Sequence, residues 1–84
     1  MSNPEFVIRS SKRKKQILNI LKDEKYMFLS ELSRRINLSI VTTRQHAEEL
    51  LTLNLIKKEH SGKFVFYSLT TSGEDLILRM NKFS

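Results

Sequence analysis

The stretch LIKKEHSGKFVFYSLTTSG, Leu55 to Gly73, holds two apolar-alternating runs that fold back at His60-Ser61-Gly62. In the second run Val65, Tyr67 and Leu69 take one face while Phe64, Phe66 and Ser68 take the other, because successive strand side chains point to opposite sides. Leu55 and Ile56 open the first run, and Lys57, Lys58 and Glu59 lead out to the tip. Such a two-stranded ribbon is marginal by itself in water, so it needs a body to pack on. The second strand runs directly into a helix start. Thr70 or Thr71 can cap it, Thr71 and Glu74 have capping-box spacing, and Leu76, Ile77, Met80 and Phe83 continue an apolar stripe.

The body lies upstream. Met1 to Ile8 carries Pro4 and no helical period, which predicts a loose N-terminal arm over residues 1–9. From Ser11, a good cap, Ile17, Leu18 and Leu21 set a helix over about residues 11–23. Its first turn, Lys12-Arg13-Lys14-Lys15, puts positive charge where the helix dipole opposes it. That reads either as a solvated face or as phosphate contact. Tyr26-Met27-Phe28 reads as a short strand. Ser30 to Ile36 reads as a second helix, with Leu32 and Ile36 inward and Arg34 and Arg35 outward. Asn37 tolerates the left-handed conformation of a helix-ending turn, Ser39 is a good cap, and a third helix runs from Ile40 to about Leu53, stopping at Asn54. At about 100° per residue, Ile40, Thr43, Ala47, Leu50 and Leu51 form its buried stripe. Val41, Thr42, Gln45, Glu48, Glu49 and Thr52 lie opposite, with Arg44 at one edge.

With 84 residues, the chain has room for one domain, over residues 10–84. It has no cysteine, so neither disulfides nor thiolate zinc sites supplement the core. Net charge is +6 and unevenly placed: residues 1–42 hold nine Lys/Arg against four Asp/Glu, residues 43–84 six against five. A pI near 9.9 is the electrostatic footprint of a nucleic-acid binder, or of a surface that is simply basic. No run approaches the roughly 18 apolar residues of a membrane span and no signal peptide is visible, so a cytoplasmic, nucleoid-associated protein without a membrane partner is expected.

Helix, short strand, helix-turn-helix, hairpin and closing helix together resemble the winged helix-turn-helix. The chain is similar to small prokaryotic and archaeal regulators of the ArsR-like and MarR-like kind. The residues that carry this are Leu32-Ser33-x-x-Ile36-Asn37-Leu38-Ser39, Leu50-x-x-Leu53-Asn54-Leu55-Ile56, Gly62-Lys63 and Tyr67-Ser68-Leu69-Thr70-x-x-Gly73. Together they cover residues 10 to 80. Asn37 and Asn54 stand where glycine is usual, and Phe28 replaces the serine or threonine that often starts the second helix, which shifts the cap to Ser30. The resemblance implies a mainly α protein with a small β-hairpin (α+β): helix-turn-helix at about 30–53, wing at 55–69, C-terminal helix at 71–83.

The same resemblance implies a homodimeric transcription regulator that binds double-stranded DNA in a sequence-specific way. In a helix-turn-helix the second helix enters the major groove N-terminus first, which places Ser39, Val41, Thr42, Arg44 and Gln45 there; Ser39 and Thr42, with the free N–H groups of the first turn, suit a phosphate. Gln45 suits adenine, Arg44 guanine or a phosphate, and Val41 a thymine methyl. Lys12, Arg13, Lys14, Arg34, Arg35, Lys57, Lys58, His60, Ser61 and Lys63 would meet the phosphate backbone. Leu76, Ile77, Met80 and Phe83 read first as core; because the terminal helices of related regulators also build the dimer, a dimer contact is the second reading. Glu48 and Glu49 oppose deep entry of the third helix, unless a glutamate reads cytosine or this face meets a protein. Phe64 and Phe66 are expected to pack on the first or last helix or on a second subunit.

His46 and His60 have no metal-ligand spacing, so neither a metal nor a cofactor is expected. There is no nucleophile–base set and no glycine-rich phosphate loop, which argues against an enzyme. Two rival readings stand beside the regulator. One is an architectural DNA binder with little sequence preference, the other a protein-interaction winged helix. A small-molecule effector is left unknown.

Overall fold

The structure, a computed structural model, describes residues 3–82. Its first element corrects the expected arm. Residues Pro4–Arg9 form a helix, α1, whose start is capped by Asn3. The Asn3 Oδ1 accepts from the Glu5 N–H at 2.9 Å, and Pro4 sits at the first helical position, where its missing N–H costs nothing. The proline that argued against a helix is here a helix starter. Ile8 is buried and ties the segment to the core.

Helix α2, Lys12–Glu24, follows a cap in which the Ser11 Oγ accepts from the Lys14 N–H. It buries Ile17, Leu18 and Leu21 and ends at Lys25, which has φ 73°. Strand β1, Tyr26–Phe28, leads directly into α3, Leu29–Ile36. The expected cap at Ser30 is not used. Phe28 holds the cap position without a side-chain bond, and Ser30 lies inside the helix. Asn37 ends α3 in the left-handed conformation, φ 60°, ψ 47°.

Helix α4, Ile40–Thr52, starts at Ser39 and is followed by Asn54, again left-handed. Thr43, Ala47 and Leu50 are buried as the helical projection requires, but Ile40 is exposed because the first turn overhangs the core. Strands β2, Ile56–Ser61, and β3, Phe64–Leu69, are joined by a two-residue turn. There Gly62 takes the first central position at φ 60°, the conformation a tight hairpin turn needs and glycine supplies without steric cost. The sheet order is β1-β3-β2, antiparallel throughout.

Helix α5, Thr71–Lys82, closes the fold. Its cap is Thr70: the Oγ1 accepts from the Gly73 N–H at 3.0 Å and donates to the Asn54 carbonyl at 2.8 Å. Thr70 is one of the two expected caps; with Gly73 at the third helical position it makes no capping box, and the box expected between Thr71 and Glu74 does not start the helix. Gly73 lies against strand β2's approach so closely that a Cβ there would fall 1.9 Å from the Leu55 carbonyl oxygen.

Ile8, Ile17, Leu18, Leu21, Leu32, Ile36, Ala47, Leu50 and Ile77 make one core, into which Tyr67 projects from β3. Burial raises the Tyr67 phenol pKa, and its hydroxyl has no hydrogen-bond partner among the described residues. Leu76, Ile77 and Met80 also belong to this core. Of the two readings open for this stripe, core and dimer contact, their burial fits the first; Phe83 lies outside the described residues. Among the described residues no helix is long and apolar enough to cross a membrane.

Candidate nucleic-acid interface

The turn Asn37-Leu38-Ser39 sets α4 on the surface with its first two turns uncovered. The Ser39 Oγ accepts from the Thr42 N–H at 3.1 Å and donates to the Thr42 Oγ1 at 3.0 Å, so both hydroxyls complete the cap. Val41, Arg44 and Gln45 are exposed. Among the described residues the Arg44 and Gln45 side chains make no hydrogen bond or ion pair within the chain, so both are free to act outward.

The acidic pair of this helix is neutralised. Glu48 pairs with Lys58 of the wing at 3.3 Å, and Glu49 with Lys14 of α2 at 2.8 Å. The repulsion toward phosphates that Glu48 and Glu49 suggested in sequence is thereby offset from within.

The basic residues divide by how they are used. Lys12 is exposed. Arg13 donates to the Ile36 carbonyl at 3.1 Å and to the Gln16 Oε1 at 3.1 Å, capping the end of α3. Lys14 corrects its assignment to phosphate contact: it is only 6% exposed. Its Nζ lies 3.0 Å from the His46 Nδ1 as well as 2.8 Å from Glu49. An ammonium has donors only, so the Nδ1 must accept and His46 is neutral there, with its proton on Nε2. Burial and then the Lys14 charge lower the His46 pKa, while the hydrogen bond from Lys14 lowers that of Glu49. Sequence reasoning missed this cluster although a signal existed: residue 14 falls on the same helical stripe as Ile17, Leu18 and Leu21.

Arg34 pairs with Glu31, and Arg35 with Glu24 at 3.4 Å. On the wing Lys57, His60, Ser61 and Lys63 are exposed, and the Lys63 Nζ stands 5.9 Å from the Phe64 ring centre. Between the wing and α4 runs an open cleft of about 180 Å³, lined among others by Ser30, Ile40, Arg44 and Lys63. It is smaller than the roughly 300 Å³ from which small-molecule pockets start. Phe64 and Phe66 meet the rings of Tyr26 and Phe28 from β1, and Phe64 also lines a cleft beside α3 with Ser30, Glu31 and Arg34. Among the described residues no three His, Cys, Asp or Glu side chains gather as a metal site requires.

Among solved structures, HlyU from Vibrio cholerae N16961 is 30% identical, covers 87% of this chain and 79% of its own, and superposes with a TM-score of 0.78. The chain belongs to the winged helix-turn-helix regulators of the HlyU and MarR-like type. Two MarR-like structures share the fold at lower identity. A MarR mutant from E. coli complexed with operator DNA is 12% identical with a TM-score of 0.81, over 86% of this chain and 54% of that one. The adhesin competence repressor AdcR from Streptococcus pyogenes is 12% identical with a TM-score of 0.77, over 87% and 56%. This winged-helix regulator thus spans about half the length of those MarR-like chains. No protein-family model and no curated protein sequence matches it.

Proposed function

We propose that this winged-helix regulator binds double-stranded DNA at specific sequences and acts in transcription, as a homodimer at the nucleoid on two half-sites about one helical turn apart. The observation that carries the reading is the pairing pattern on α4. Its two acidic side chains are bound to lysines, while Arg44 and Gln45 are left unpaired on the exposed first turns. Arg44 suits guanine and Gln45 adenine, each bidentate contact worth about 1–3 kcal/mol against the wrong base. Lys12, Lys57, His60 and Lys63 supply sequence-independent attraction to phosphates, and the free N–H groups of the first turn of α4 favour one more. The MarR structure in complex with operator DNA supports this use of the fold.

The test is fluorescence anisotropy of a labelled duplex, titrated at low and at physiological salt with wild type and with Arg44→Ala/Gln45→Ala. Loss of roughly tenfold or more in the double variant is the expected result, given the worth of each contact. Equal binding by the two proteins would leave holding to the wing and α2, and would make the protein architectural. Absence of binding at low salt would end the DNA reading.

A further inference from the structure

One buried hydroxyl has no use within the free chain. Tyr67 is fully buried, and among the described residues its Oη is the one buried side-chain polar atom without a hydrogen-bond partner. The buried hydroxyls of Ser33 and Thr43, by contrast, donate to the Ser30 and Ser39 carbonyls, each at 2.8 Å. A buried donor left unmet costs stability, so the Tyr67 hydroxyl adds nothing to the free fold. It points to a partner that another state of the molecule supplies.

The neighbouring side chains identify that partner. Tyr67 stands opposite Lys58 in the β2–β3 register, and residues directly opposite share a face of the sheet. On that face the Lys58 Nζ reaches the Glu48 Oε1 of α4 at 3.3 Å. Burial raises the Tyr67 pKa; after burial the Glu48 charge raises it and the Arg44 charge lowers it, so both side chains stand within electrostatic reach of the phenol. Of these neighbours only Glu48 can take the phenol's proton in a hydrogen bond, because a carboxylate accepts whereas a guanidinium and an ammonium donate. In the free chain that carboxylate is turned toward Lys58 at the surface, in an exposed ion pair of the kind that is worth little.

A bound duplex competes for Lys58. The residue lies on the wing strand beside Lys57, and a phosphate draws its ammonium as Glu48 does. Once Lys58 turns outward, Glu48 is left bare next to the backbone and repels it. We propose that Tyr67 is a positioning residue of the DNA-binding face: when Lys58 passes from Glu48 to a phosphate, the Tyr67 hydroxyl donates to the Glu48 carboxylate and holds it back from the duplex. The exchange replaces one exposed ion pair by two charge-assisted hydrogen bonds, Lys58 to phosphate and Tyr67 to Glu48. It also gives the buried hydroxyl the partner it lacks in the free chain. The role presupposes the duplex binding proposed above.

The experiment removes the hydroxyl alone. Tyr67→Phe, Lys58→Ala and Lys58→Ala/Tyr67→Phe are compared with wild type by thermal melting without DNA and by anisotropy with the labelled duplex at low salt. Tyr67→Phe should melt at or above wild type, since it relieves an unmet buried group. It should nevertheless bind the duplex about tenfold more weakly, the loss of one hydrogen bond to a charged group. A tyrosine with a merely structural role would lose stability and affinity together. In Lys58→Ala the Glu48 carboxylate is free to take the hydroxyl without DNA, so in that background Tyr67→Phe should lower the melting temperature. Tyr67→Phe binding as tightly as wild type, Tyr67→Phe melting below wild type, or a double variant melting with Lys58→Ala would each overturn the proposal. Wild type that fails to bind at low salt is a different result: it would end the DNA reading, and the positioning role with it.

Discussion

Lys14 shows how one side chain can change meaning between sequence and structure. In the run Lys12-Arg13-Lys14-Lys15 it reads as one of four solvated cations, yet it is buried against His46 and Glu49. Both partners have lowered pKa values in the folded chain. A base with a folded pKa below its ordinary 6.5 leaves the unfolded chain binding more protons in the interval between. Stability is therefore full above about pH 6.5 and falls as pH drops through that value. Glu49 adds a second loss, as pH falls through its depressed folded pKa below the carboxylate range. We expect the melting temperature to decline between neutral pH and about pH 5, and His46→Gln, which keeps an acceptor for Lys14, to flatten that decline. A slope unchanged in His46→Gln would assign the acid sensitivity to other groups. Arg13, likewise, reads as surface charge but caps α3 through the Ile36 carbonyl. Neither role is written in local composition, because both depend on which helix lies alongside.

At the scale of elements, the boundaries set by backbone chemistry were legible. Asn37 and Asn54 end α3 and α4 in the left-handed region, Ser11 and Ser39 cap α2 and α4, and Gly62 makes the wing turn. Errors arose where one signal had two meanings. Pro4 stops a helix from inside but starts one from its first position, and Asn3 before it was the deciding neighbour. Gly73, inside the first turn of α5, allows that helix to pass the Leu55 carbonyl. Gly73→Ala would drive backbone against backbone, and overpacking of this kind costs about 1–3 kcal/mol or more. For a domain this size each kcal/mol lowers the melting temperature by roughly 4–8 °C, so a drop of about 10 °C is expected in a calorimetric scan. A melt within a degree or two of wild type would mean that α5 can shift freely.

For the molecule as a whole, charge was readable in number but not in use. Of the ten basic and polar wing and helix residues expected at phosphates, Arg13, Lys14, Arg34, Arg35 and Lys58 have partners within the chain. Lys12, Lys57, His60, Ser61 and Lys63 remain outward. Each phosphate neutralised contributes about 0.9 to the slope of log affinity against log salt. Lys57→Ala/Lys63→Ala should therefore lower that slope by about 2, uniformly across DNA sequences. An unchanged slope would move the wing off the backbone. The apolar balance was legible in part at this scale: the α5 stripe fills the core, while Phe64 and Phe66 meet the rings of β1. Alternation assigns faces correctly. Only the fold decides which face is covered.

Strand β1 is joined to β3 and not to its nearer hairpin partner, with Met27 opposite Tyr67, forty positions along the chain. The whole helix-turn-helix is thus a loop clipped at its neck by three residues of strand. Closing a loop of this length early is entropically slow, whereas the hairpin and the helices form locally. Folding should accordingly end with β1 docking, and native-state opening should begin there. The amides of residues 26–28 would then exchange with solvent before those of β2 and β3, giving α4 a hinge whose latch is the shortest strand among the described residues.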